Sequence, residues 1–171
     1  EEYDHIKLHA NMTHDILGKI YVSKEFENVA QIASSHHEKY DGTGYFLGLK
    51  GDDIPLGGRI LAVSDVFDAI TSKRHYRSKM DIDDAIKVLI DGSNKHFDKK
   101  IVDVFLSMTC EKIIHVLTCD FNLEIAQNDK LLLEKYKLAD LYAILQKEEE
   151  GESHEKTVAQ VFSKYYNFTQ N

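Results

Sequence analysis

Residues 36 to 49 read HHEKYDGTGYFLGL, two adjacent histidines running into a segment rich in glycine. His36 and His37 offer neutral imidazoles, which are metal ligands or proton carriers. Asp65 stands in ILAVSDVFDAI, a stretch that is apolar on nearly every side if it is helical. Burying an ionised carboxylate there costs several kcal/mol unless a partner compensates it. Arg59 is nearly two turns away and badly placed to do so. A metal ion would compensate the charge, and His36, His37 and the upstream His9 are the imidazoles that would share it. Nitrogen and oxygen ligands without thiolate suit Fe, Mn, Zn or Ni. A lone helical histidine is ordinarily a surface or hydrogen-bonded residue. What raises the metal reading is the adjacency of two of them together with an aspartate expected to be buried.

A turn beyond Asp65 lies Asp68, and SKRHYR then brings Lys73, Arg74 and Arg77 close together. Arg74 and Arg77 stand three apart and share a helix face or a turn. Guanidinium forks bind phosphate bidentately. A basic cluster after a helix also complements the helix C-terminal dipole, so the phosphate reading depends on the metal site beside it.

These residues need helices to position them. Tyr3, Ile6, Ala10, Thr13, Leu17 and Ile20 recur at three- and four-residue steps, predicting an amphipathic helix with His9 at the edge of its apolar stripe. A second helix is expected to start at Ser23 as N-cap, with Glu25 and Glu27 complementing its dipole. Its buried face would be Phe26, Val29, Ala30 and Ala33, with His36 and His37 at the end. Residues 41 to 58 hold six of the nine glycines, which predicts a loop with unusual backbone needs. From Pro55 a helix resumes through PLGGRILAVSDVFDAIT. Asp81 is expected to cap DIDDAIKVLI, which ends at Gly92, and Asp98 to cap KKIVDVFLSM. KIIHVL reads as a short strand or a helical turn, and residues 129 to 147 as one helix. Residues 148 to 153, EEEGES, read as a solvated linker. Val158, Val161, Phe162, Tyr165 and Tyr166 form the face of a final helix. No internal repeat is visible, and the expected class is all-α.

Composition narrows the function classes. Apolar residues make up 43% of the 171, an ordinary globular value. A single proline favours long helices. A formal net charge of −8 argues against a general DNA or RNA binder. Cys110 and Cys119 are too few and too widely spaced for a thiolate metal site and read as reduced thiols of a cytoplasmic protein. Nothing resembles a signal peptide or a membrane span.

The run HHEKYDGTGYFLGLKGDDIPLGGRILAVSDVFDAITSKRHYR resembles the signature of the HD-GYP family, a branch of the HD-domain phosphohydrolases. EEYDHIKLHANMTHDIL is similar to the family's helix carrying its next histidine, and GSNKHFDKKIVDVF to its later HFD segment. The likeness covers residues 1–107, an HD-GYP-like domain, and leaves 108–171 as a helical C-terminal extension of unnamed role. It implies an HD-domain-like helical bundle with a centre of two or three divalent transition metals, Fe or Mn foremost, with Zn or Ni also suitable. It also implies hydrolysis of cyclic di-GMP, to the linear dinucleotide or GMP, by a metal-bridged hydroxide. On this likeness His9, His36, His37 and Asp65 fall on metal-ligand positions, and Asp65 with Asp68 on the catalytic DxxDA pattern. Arg74 and Arg77 fall on phosphate-holding positions. Gly44 and Tyr45 begin the loop that lies over the site and takes part in recognition of signalling partner proteins.

Two departures stand out. Phe46 replaces the family's proline, which puts the loop's pose and its partners in question. The pair His14 and Asp15 imitates the name-giving His-Asp pair but follows His9 in the chain, whereas the family's pair precedes that histidine by a helix. The expectation is therefore that His14 and Asp15 are a helical surface pair and that the true pair either lies upstream of Glu1, where hydrolysis would require it, or has been lost. A degenerate domain that binds nucleotide or protein without catalysis is the alternative.

Overall fold

The computed structural model describes residues 2–74, 76–118, 123–147 and 153–168, with side chains omitted for 2–7 and 153–156. Among them every regular element is a helix: α1 (Glu2–Leu17), α2 (Val29–Ser34), α3 (Leu56–Thr71), α4 (Ile82–Asp91), α5 (Lys99–Leu106), α6 (Cys110–Thr118), α7 (Gln127–Leu133), α8 (Leu138–Gln146) and α9 (Ser153–Phe168). Short 3-10 turns occupy Lys24–Phe26 and Gly51–Asp53. The linker expected at 148–153 and the thiol of Cys119 fall outside the described residues, apart from Ser153, which begins α9. No helix among the described residues is long and apolar enough to cross a membrane.

The chain divides into two compact units, residues 1–69 with 88–102 and residues 70–87 with 103–171. In the first, α1 packs on α2, and Ala10, the midpoint of the expected stripe, is fully buried. Ile20, expected on that stripe, lies beyond the end of α1 and is exposed. The helix expected from Ser23 is shorter and later than its pattern implied. Ser23 starts only a 3-10 turn and makes no side-chain cap, Phe26 is exposed, and the α-helix begins at Val29. His36 and His37 consequently sit in the turn after α2, not on its face. Further along, α3 buries Ala62, Val63 and Phe67 on one side. Asp98 caps α5 as expected, its Oδ1 accepting the Lys100 N–H at 2.9 Å.

The second unit is built round α9, whose Val158, Ala159, Phe162, Tyr165 and Tyr166 are buried against α6, α7 and α8. KIIHVL belongs to the helix α6. The single helix expected over residues 129 to 147 is instead α7 and α8. The break has a tertiary cause. Tyr136 O accepts the Cys110 N–H at 2.8 Å, and the Leu138 N–H donates to Met108 O at 2.9 Å. These backbone partners pull residues 136 to 138 out of helical pairing, and Asp140 Oδ2 then caps the restart by accepting the Lys137 N–H at 2.8 Å.

Cys110 is fully buried, and burial, reinforced by the Asp140 charge, pushes its thiol up to about 12. The thiolate is the reactive form, so Cys110 in the folded chain should resist a charged disulfide reagent at pH 8 and react only on unfolding. Tryptic peptide mass mapping with and without denaturant checks this. Stoichiometric labelling of Cys110 in the native chain would contradict its burial.

Candidate metal centre

Three imidazoles from two segments meet at one point. His9 comes from α1, where it neighbours the buried Ala10, and His36 and His37 come from the turn that ends α2. The Nε2 atoms of His9 and His37 are 2.8 Å apart, and those of His9 and His36 are 3.4 Å apart. Among the described residues these three form the group of His, Cys, Asp and Glu side chains able to hold a metal ion together.

The His9–His36 spacing of 3.4 Å fits a shared cation, and the 2.8 Å between His9 and His37 is slightly tighter than one requires. With metal–nitrogen bonds of about 2.1 Å, neighbouring ligand nitrogens lie about 3.4 Å apart in a tetrahedral site and about 3.0 Å apart in an octahedral one. The tautomers agree with this. His36 Nδ1 lies 2.6 Å from Ala33 O, so it carries the proton donated to that carbonyl and leaves Nε2 as a lone pair facing His9. His37 is pulled down to about 4 by burial first and then by His36 and His9, with Asp65 pushing the other way. Its imidazole is therefore neutral at pH 7, the form that binds metal.

Asp65 corrects one expectation. It is exposed, not buried, so the desolvation argument from its apolar helix does not apply. On α3 the helical period turns Val63 and Phe67 inward and Leu61, Ser64, Asp65 and Asp68 outward. Exposed Leu56, Ile60 and Leu61 made the helix look apolar all round in sequence. Asp65 is nonetheless near enough to act on His37 through space. Arg59, judged badly placed for Asp65, bonds elsewhere: its Nη1 donates to Asp98 Oδ2 at 2.9 Å and Asp52 Oδ1 at 2.5 Å.

The glycine-rich loop lies on the same centre. The Tyr45 ring stacks on His37 with centroids 4.8 Å apart and planes tilted 25°, and the Tyr45 N–H donates to His37 O at 3.3 Å. Gly44 is glycine for a steric reason: a Cβ there would stand 2.3 Å from Lys39 N and 2.5 Å from Glu38 Cα. Phe46 has φ +99°, a conformation no proline can adopt, so this loop follows a path closed to a Gly-Tyr-Pro sequence. The Phe46 ring lies 5.4 Å from that of His14. His14 is half-buried and Asp15 exposed, and neither joins the three imidazoles. The loop's base is pinned by the HFD segment, with Tyr40 N–H donating to His96 O at 3.1 Å and Asp41 N–H to Lys95 O at 2.8 Å.

Arg74 and Arg77 lie past the end of α3 in the second unit. Each backbone N–H donates to the other's carbonyl, at 3.0 and 3.1 Å, closing a tight turn. Both side chains are exposed, and Arg74 Nη1 donates to Tyr76 Oη at 3.3 Å. Of the two geometries expected for the pair, the turn is the one formed.

The domain is all-helical among the described residues, with three histidines placed so that they could hold one metal ion. The HD domain family profile matches residues 1–101, and the chain belongs to that family. It is 44% identical to a probable cyclic di-GMP phosphodiesterase of Vibrio cholerae over 54% of this chain and 23% of that protein. It is 36% identical to the cyclic di-GMP phosphodiesterase of Thermotoga maritima over 65% of this chain and 30% of that protein. A 3'3'-cGAMP-specific phosphodiesterase of Vibrio cholerae is 39% identical over 57% of this chain and 20% of that protein. The chain thus spans less than a third of the length of each of these relatives.

Proposed function

We propose that this chain acts in a metal-dependent phosphohydrolase that opens cyclic dinucleotides, cyclic di-GMP first among them, to the linear dinucleotide or GMP. The observation that carries this reading is the convergence of three imidazole nitrogens in a chain similar to cyclic dinucleotide phosphodiesterases. His9, His36 and His37 hold the metal, with Asp65 as the acidic ligand beside His37. A divalent ion held there, Fe or Mn first, would supply Lewis-acid charge for phosphoryl transfer and a more acidic water. Asp68, one turn from Asp65 on the outer side of α3, is the second acidic group of the site. Tyr45 and Gly44 shape the wall against which the substrate lies, and Arg74 and Arg77 are assigned to phosphate by the family resemblance of their sequence positions. The residues after 107 are a helical extension to this domain.

A second reading, a domain that binds nucleotide or a partner protein without catalysis, is favoured by one observation, the loop path set by Phe46. Anaerobic loading of the intact protein with Fe(II) or Mn(II), followed by incubation with cyclic di-GMP and separately with 3'3'-cGAMP, separates the two. Linear product that disappears with chelator is the expected result. Nucleotide binding without turnover would favour the second reading, and neither binding nor turnover would remove both.

A further inference from the structure

Glu38 follows His37 directly, is 3% exposed, and has no role in the ligand set. Its carboxylate faces three consecutive backbone amides. Oε1 accepts from Leu47 N–H at 2.6 Å and Gly48 N–H at 3.1 Å, and Oε2 accepts from Leu49 N–H at 3.1 Å. A buried carboxylate is costly unless such bonds replace its hydration, and three N–H donors do so here. The cluster closes a ring of contacts within the first unit: Glu38 grips residues 47 to 49, the chain returns through Phe46 at φ +99°, and Tyr45 reaches His37.

The two adjacent histidines are held by different means. His36 is oriented by the hydrogen bond from Nδ1 to Ala33 O. His37 Nε2 faces His9 Nε2, and its ring lies between neighbours, with the His36 centroid at 4.0 Å and the stacked Tyr45 face at 4.8 Å. Tyr45 in turn has its backbone fixed on one side by His37 O and sits next to Phe46, whose left-handed conformation costs of order 1–3 kcal/mol and persists only where its surroundings over-determine it. The Glu38 carboxylate holds the three amides that follow Phe46 and so limits how that residue can relax.

We infer that Glu38 is a positioning residue that clamps the glycine-rich loop so that Tyr45 orients His37 toward His9 and His36. The inference rests on the metal-centre reading above and adds to it a specific device: the loop and the ligand set are one mechanical unit, tied through a carboxylate that lies outside the three-imidazole group. A Glu38→Gln side chain keeps the shape but presents an NH2 group to N–H donors, so at least one of the three bonds becomes a repulsion. The loop then loosens while the helices remain.

The test is cobalt(II) titration of the chain, followed by the visible absorption of the bound ion, for the parent, Glu38→Gln and Tyr45→Ala, with amide exchange read over residues 44 to 50. For Glu38→Gln the expected result is helical circular dichroism like the parent, faster exchange at 47 to 49, cobalt affinity lower by about 10-fold or more, and an altered spectrum. Tyr45→Ala, which leaves the carboxylate in place, should lower the affinity as well. If Glu38→Gln does not fold, Tyr45→Ala decides alone. Faster loop exchange with parent-like affinity and spectrum would overturn the inference and leave the metal centre standing. No cobalt binding by the parent would overturn the metal centre and the inference with it.

Discussion

His37→Ala should abolish tight metal binding while leaving the chain folded. Of the three imidazoles, His37 lies nearest to His9, at 2.8 Å, and it is held neutral by its surroundings. Losing even an outer partner of a metal ligand costs about 10–100-fold in affinity, so deleting a ligand should cost more than that. The fold should survive because His37 is in a turn, partly exposed, and contributes no core packing. Zinc or cobalt affinity by competition with a chromophoric chelator is the measurement, with circular dichroism as the fold control. His14→Ala is the informative companion. His14 packs near Phe46 and Ser34 Oγ, away from the three imidazoles, so its loss should leave affinity within a few-fold of the parent. The reverse outcome, metal lost with His14 and kept without His37, would mean that the His14 and Asp15 pair carries the site after all.

The second large effect concerns stability. Asp98 is 4% exposed, accepts from the Lys100 N–H and pairs with Arg59 Nη1. Removing one member of a buried ion pair typically costs about 3–5 kcal/mol, because the other charge is left uncompensated. Arg59 would retain only Asp52, whose side chain is 73% exposed, and its Nε is already buried without a hydrogen-bond partner. Loss of an N-cap adds about 1 kcal/mol, while the surviving Asp52 contact offsets part of the total. Asp98→Ala should therefore lower the unfolding free energy of the first unit by about 3 kcal/mol in urea titration. Asp98→Asn keeps a cap acceptor and loses the charge, so it should fall between the two. A change below about 1 kcal/mol would show that the pair is balanced by its own desolvation.

Residues close in sequence were read with most success. The three-and-four-residue spacing in α1 marks Ala10 as buried, and Asp98 was legible as a cap because capping acts within three residues. The identities of His9, His36 and His37 were visible as well, although their meeting joins residues 27 and 28 positions apart. Where the reading failed, local pattern and long-range partner disagreed. Asp65 looked buried because exposed leucine and isoleucine on α3 carry the same apolar letters as the core. Residues 129 to 147 looked like one helix because nothing in that window announces that Met108 and Cys110 will claim the backbone of Tyr136 and Leu138.

The sequence alone determined an all-helical chain, the family resemblance and the set of imidazoles, since helical period and ligand chemistry are properties of residue type and short spacing. Only the tertiary structure decided which face of α3 carries Asp65, where Arg59 finds its carboxylates, and what Glu38 holds. Those outcomes depend on backbone and side-chain partners brought together across loops, and a bond from residue 38 to amides nine to eleven positions on leaves no periodic trace in the chain that makes it.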